Sequence, residues 1–281
     1  MTFNLDIAIV IAFLIINLAA GVYSGRGIKN ITEYAVGNRN FSTATISATV
    51  IATWIGGGSF AIAISKTYTD GLLYLCADVG TIIGTLIVAY VFAPRMQEFL
   101  GKISVAEVMG SLYGRNVRLI TSIGAIALSV GSIAVQIKVM SSLFNHFFGL
   151  DSIHATLISS SVVILYSSFG GIKAVTFTDV IQFFTFGIFV PLFAIFVWKI
   201  FGDDRATLIE IQQNPIFNLE TVFNLENPTL FPHIALFLYF LLPTLNPAIF
   251  QRMLMSRDIK QIQNSFSISA VTYFLFTLVA S

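Results

Sequence analysis

The sequence predicts an all-α integral membrane protein, on three observations. Charged residues are 10% of the 281 residues and hydrophobic ones 56%, whereas a typical soluble domain carries about 25% charge. With a mean hydropathy of +0.85, such a chain cannot present a polar surface all round. Apolar stretches of about 20 residues, long enough to cross a bilayer, recur along the whole length. Two of them are interrupted near their middles by glycine or proline. Eight spans are expected, over residues 5–23, 44–65, 71–93, 117–143, 153–169, 176–200, 232–255 and 262–281.

No lysine or arginine precedes the first span, so it lacks the positive n-region of a signal peptide. Arg26 and Lys29 follow it instead, which puts the amino terminus outside by the positive-inside rule. Threading the other spans alternately tests this orientation. Arg26, Lys29, Arg39, Arg95, Lys102, Arg115, Arg118, Lys173, Arg252, Arg257 and Lys260 fall inside, and Lys66, Lys138, Lys199 and Arg205 outside. Together they account for all 15 basic residues, a strong inside bias.

The second span contains "ATWIGGGSF", residues 52–60. Each interior glycine costs a helix roughly 1 kcal/mol relative to alanine, and in hydrocarbon no water replaces a lost backbone bond. In the third span, Gly80 and Gly84 have GxxxG spacing, which allows close helix packing and is read here as packing inside the bundle. Asp78, beside Tyr74 and Thr81, is read as structural. Gln136 and Lys138 close the fourth span in a packing or snorkelling role.

Between the fifth and sixth spans lies "YSSFGGIKAVTFTDVIQ", residues 166–182. Gly170, Gly171 and Lys173 are expected to make a tight inside turn. Asp179 follows about one turn inside the membrane, where a carboxylate is expensive and a functional candidate by default. The outer loop, 201–231, carries Asp203, Asp204, Glu210, Glu220 and Glu226 and is expected to form a short surface helix. The seventh span reads "YFLLPTLNPAIFQR", residues 239–252. Pro243 and Pro247 there bracket Thr244 and Asn246, so a break or kink is expected.

Cys76 is the sole cysteine, which excludes an internal disulfide. His146, His154 and His233 lack metal-ligand spacing. No P-loop, nucleophile elbow or HExxH is present, nothing suggests nucleic-acid binding, and the chain does not read as an enzyme.

The two broken spans are five apart, so they run in opposite directions, as an inverted five-helix repeat requires. Secondary transporters place substrate and ion sites at such paired breaks near the bilayer midplane. The freed carbonyls of residues 52–55 suit a hard cation such as Na⁺, which prefers oxygen ligands. The lost helix bonds become ion ligands.

The stretch 166–182 resembles the signature of the sodium:solute symporter family, and the break at 52–60 and the pair Gln251-Arg252 fit the same pattern. The resemblance implies a LeuT-type core of two inverted five-helix repeats behind one extra amino-terminal helix. Residues 1–43 would be that helix and its inner loop, 44–200 the complete first repeat, 201–231 the outer loop, and 232–281 the start of the second repeat. It implies Na⁺ as coupling ion and no other cofactor, with Ala52 and Ile55 supplying carbonyls to the sodium site and Asp179 on the sodium exit path. The opposing hydroxyls of that site lie in the family about three spans beyond the seventh, so the chain resembles the front portion of a symporter.

Around the two breaks, Trp54, Gly58, Ser59, Tyr239 and Asn246 are the candidate substrate-binding residues. Sugar-transporting members carry polar side chains just after the break, so Trp54, Gly58 and Ser59 argue against sugar. Tryptophan before three glycines resembles the choline-transporter branch, and its face can hold a quaternary ammonium by cation–π attraction. The partners expected are Na⁺, a small organic solute and membrane lipid, in a bacterial cytoplasmic membrane. Two other readings stay open: the membrane input module of a sensor kinase, and a non-transporting fragment.

Overall fold

The computed structural model describes residues 5–202, 209, 211–242 and 246–280, which contain helices and connecting turns and no strand. The α-helices are α1 (Leu5–Ser24), α2 (Ile31–Val36), α3 (Thr43–Trp54), α4 (Gly57–Asp70), α5 (Leu72–Ile87), α6 (Val105–Tyr113), α7 (Arg115–Phe148), α8 (Ser152–Val197), α9 (Leu219–Val222), α10 (Leu230–Leu241), α11 (Pro247–Leu254) and α12 (Ile259–Ala280). Among the described residues five helices are long and apolar enough to cross a membrane, or six when α3 and α4 are counted as one bent span. No residue in the apolar stretch of α7 is fully buried by the rest of the chain, and Ile120, Ile123, Ile126 and Val130 are all at least 60% exposed. A water-soluble protein does not leave such a helix bare, whereas a membrane-spanning one can.

Two expected spans differ from the expectation in form. The seventh is divided, because α10 stops at Leu241 and α11 starts only at Pro247. Each part is too short to cross alone. Pro243 and Thr244, on which the expected break partly rested, lie outside the described residues. The fifth span becomes the leading arm of α8, whose serines (Ser159, Ser160, Ser161 and Ser168 among them) dilute its apolar character. The expected turn at Gly170-Gly171 is a single non-helical residue inside α8, Gly171, with φ 51° and ψ −152°. Glycine alone adopts that backbone without strain, and an added Cβ would come within 2.8 Å of the Tyr34 carbonyl oxygen.

The second span breaks as its glycines require. Ser42 caps α3 by accepting from the Thr45 N–H at 3.1 Å, and α3 and α4 meet at 58°. The outer loop carries the one-turn helix α9.

The main core lies at one end of the bundle. Val36 of α2, Ile46 and Val50 of α3, Val105 of α6, Phe250 and Leu254 of α11, and Ile262 and Phe266 of α12 pack together there. Side-chain bonds to loop carbonyls close that end. Arg39 donates to Leu254 and Lys102, at 3.2 and 3.0 Å, and Gln251 donates to Ala35 and Ile103. Helices α3 and α12 are stitched by buried serines. The Ser47 hydroxyl bonds the Ser265 carbonyl at 3.2 Å, and the Ser269 hydroxyl bonds the Ser47 carbonyl at 3.2 Å. Small hydroxyl residues let membrane helices approach closely and hydrogen-bond across the gap.

The GxxxG spacing serves the same end within the chain. A Cβ at Gly80 would stand 2.6 Å from the Phe237 carbonyl oxygen, and one at Gly84 2.8 Å from that of Phe240, so α5 and α10 touch backbone to backbone. Gly124, on the bare face of α7, has nothing within 4 Å of its Cβ position. Glycine to alanine ordinarily stabilises a helix interior by about 0.8–1 kcal/mol. Gly124→Ala is therefore expected to hold or raise the melting temperature of the purified protein. Gly84→Ala should lower it, by about 1–3 kcal/mol of overpacking. Equal shifts in the two variants would contradict the α5–α10 contact.

Candidate ion and solute sites

The break in the second span is held by one serine. The Ile55 N–H still reaches the Ile51 carbonyl, at 2.9 Å, but Ile55 itself leaves the helix at φ −91°, ψ 80°. The Gly56 N–H, which would continue the ladder to Ala52, donates instead to the Ser59 Oγ at 2.8 Å. That hydroxyl lies 2.7 Å from the Trp54 carbonyl oxygen and 2.8 Å from that of Gly56. Among the described residues other than Gly57, no loop or cap hydrogen bond reaches the carbonyls of Ala52 or Ile55. Both residues line a cavity of about 190 Å³ between α3, α8 and α12, with Phe183, Gly187 and Thr272 among the other walls. Backbone carbonyls in this condition retain their full dipoles for a cation.

One turn back along α3, Thr49 donates to the Asp179 carboxylate of α8. Arg252 of α11 donates to the same oxygen through Nη2 at 3.0 Å. Asp179 is 9% and Arg252 7% exposed, so this is a buried ion pair joining three helices. Sequence reading singled out Asp179 but assigned it no counter-ion. Arg252 lies 73 residues away, on the far side of the second break, and no local spacing links the two. Nearby, Lys173 bonds Glu33 of α2 just after the Gly171 kink. That ammonium and the Lys29 N–H, at 3.0 Å, hold the Glu33 carboxyl below the usual carboxylate range.

A larger cavity of about 540 Å³ opens on the other side of the break, lined by Trp54, Tyr239 and Asn246 with Thr81, Thr85 and Tyr273. Three of the five candidate solute residues thus share one cavity. Gly58 and Ser59 stand apart from it because they begin α4, which leans away from α3. A Cβ at Gly58 would meet Val135 of α7 at 3.3 Å, and the Ser59 hydroxyl is occupied in the break. Asn246 also caps α11, its Oδ1 accepting from the Ala248 N–H at 2.9 Å. Tyr273 escaped the sequence reading. Its ring meets Trp54 edge-on at 5.6 Å between centroids. The available signal was a tyrosine inside an apolar span, whose hydroxyl needs a buried partner.

Comparison with known proteins fits this geometry. The family model described as "Sodium:solute symporter family" matches residues 34–280. The chain is 27% identical to the high-affinity choline transporter 1 of Caenorhabditis elegans, over 67% of this chain and 34% of that protein. It is 25% identical to the human sodium/iodide cotransporter, over 63% and 28%, and 24% identical to the sodium/sialic acid symporter SiaT of Proteus mirabilis, over 63% and 36%. The chain spans about a third of the length of the curated relatives it matches. A Na⁺-coupled sialic acid symporter, solved in a substrate-bound outward-open state, superposes with a TM-score of 0.76 at 20% identity, covering 97% of this chain and 59% of that one. The likeness establishes the LeuT-type fold.

The buried pair makes a distinct stability prediction. Removing one partner of a buried ion pair costs about 3–5 kcal/mol, whereas removing both is often neutral. Arg252→Gln is expected to lower the melting temperature sharply in a fixed detergent, and the double variant Asp179→Asn/Arg252→Gln to recover most of the loss. Additive losses in the double variant would show that the two side chains do not depend on each other.

Proposed function

The chain belongs to the sodium:solute symporter family, and on that premise we propose that it forms the ion- and solute-holding part of a sodium-coupled symporter for a small organic solute. The observation that carries this reading is the pair of unbonded carbonyls at Ala52 and Ile55. Breaking a membrane helix forfeits backbone bonds that lipid cannot replace, and a bound Na⁺ would take their place. Asp179 of α8, bonded by Thr49 one turn back along α3, is the next oxygen station for an ion leaving that site. Arg252 is already seated there, so the ion and the guanidinium compete for one carboxylate.

Between Ala52 and Ile55 lies Trp54, which lines the 540 Å³ cavity. Ion binding at the carbonyls of Ala52 and Ile55 would fix the backbone that carries Trp54, which is a direct physical coupling between ion and solute. On this reading the solute is held by Trp54, Tyr239 and Asn246, and Ser59 keeps the break in shape. Residues 44–200 act as the first inverted repeat and 232–281 as the beginning of the second, so the two breaks face each other. The relatives are named for a quaternary amine, an inorganic anion and an acidic sugar, so their names do not select a solute. The distribution of basic residues supports an amino terminus outside a bacterial cytoplasmic membrane.

The test is uptake by membrane vesicles containing the native protein, with choline, proline and glucose as separate labelled solutes. An inward sodium gradient is expected to drive accumulation that an equal potassium gradient does not. Asp179→Asn should raise the sodium concentration for half-maximal uptake about tenfold or more at equal protein in the membrane. Uptake indifferent to sodium would contradict the function. Unchanged sodium activation in Asp179→Asn would return that carboxylate to a structural role.

A further inference from the structure

A second buried carboxylate has no counter-ion among the described residues. Asp78 of α5 lies within a membrane span and is 5% exposed. It accepts three hydrogen bonds, all from neutral hydroxyls. Thr81 and Tyr273 donate to Oδ1 at 3.3 and 3.2 Å, and Thr277 donates to Oδ2 at 3.2 Å. No lysine, arginine or histidine among the described residues pairs with it. Asp179, by contrast, has Arg252. An ionised carboxylate in a low-dielectric interior is costly unless a cation faces it.

The place for that cation is next door. Thr81 and Tyr273, two of the three donors, line the 540 Å³ cavity beside Trp54, Tyr239 and Phe240. Tyr273 therefore touches Asp78 with its hydroxyl and Trp54 with its ring. No basic side chain lines this cavity. Aromatic faces attract cations, by about 2 kcal/mol or more when desolvated, and the Asp78 carboxylate, one hydrogen bond behind Thr81 and Tyr273 of that wall, adds the opposite charge.

We propose that Asp78 is the anionic anchor for a positively charged amine on the transported solute, with Trp54 and Tyr273 as the aromatic wall around it. The proposal rests on the solute cavity assigned above and adds the class of solute. Acidic solutes are excluded by the same charge, which would repel them across the cavity. Neutral polyols would leave the carboxylate uncompensated.

The test is ligand binding to the full chain in nanodiscs, followed by Trp54 fluorescence in a Trp198→Phe background. The probes are choline, ethanolamine and putrescine as cations, 3,3-dimethylbutan-1-ol as the neutral isostere of choline, and glucose and pyruvate. At least one amine is expected to bind tenfold or more tighter than the isostere, glucose or pyruvate. Asp78→Asn should abolish that preference while leaving the isostere's affinity unchanged, which also reports an intact cavity. Asp78→Glu keeps the charge and should keep the preference for amines at reduced affinity, so a misfolded asparagine variant does not end the test. Binding led by the isostere, glucose or pyruvate would overturn the amine anchor and leave the solute cavity standing. An Asp78-dependent response to sodium alone, with none to amines, would overturn it in favour of an ion site. Silence of Trp54 to every probe would overturn both the anchor and the cavity.

Discussion

Everything distinctive in this bundle follows from one constraint, that backbone polar groups in hydrocarbon must be satisfied from within. Three consecutive glycines in the second span give up helix bonds at the depth where nothing in lipid replaces them. The chain recovers part of the loss with Ser59, whose hydroxyl serves the Gly56 N–H and the Trp54 carbonyl together. Ala52 and Ile55 line a cavity, and no loop or cap hydrogen bond among the described residues other than Gly57 reaches their carbonyls.

The same economy governs charge. Buried carboxylates in membranes are expensive, and this chain places two near the broken helix. Asp179 is neutralised by Arg252 and closes the end of the bundle where Arg39 and Gln251 also bond to loop carbonyls. Asp78 is surrounded by hydroxyls and aromatic rings on the opposite side of the break. One carboxylate is paired with the protein's own cation, and the other is held by neutral hydroxyls alone among the described residues.

The helices were legible in the sequence because length and hydropathy report directly on burial in a bilayer, and seven of the eight expected spans begin within about four residues of a described helix. The break at Gly56 was legible because glycine signals backbone freedom locally. The GxxxG contact was legible as a packing motif, though its partner α10 was not. What stayed hidden was every pairing across the fold. Arg252 and Asp179 sit 73 residues apart, and Tyr273 and Asp78 sit 195 apart. Neither distance leaves a periodic trace, since each pair meets only when the helices carrying them pack. Gly58 and Ser59 show the opposite case. Their position beside Trp54 in sequence suggested the solute cavity; neither lines the 540 Å³ one, while Ser59 lines a separate cavity of about 30 Å³ with Trp54 and Tyr273.

The central claim is that the open carbonyls at Ala52 and Ile55 are a sodium seat. Amide hydrogen exchange across residues 52–60 tests it directly, with the full chain in nanodiscs and sodium compared with potassium at equal ionic strength. A ligand at about 100 times its dissociation constant protects its site by about 2.7 kcal/mol, close to a hundredfold in exchange rate. The account predicts that saturating sodium slows exchange of the Gly56 and Ser59 amides by at least tenfold while potassium does not. Identical exchange in the two salts at these amides would contradict it.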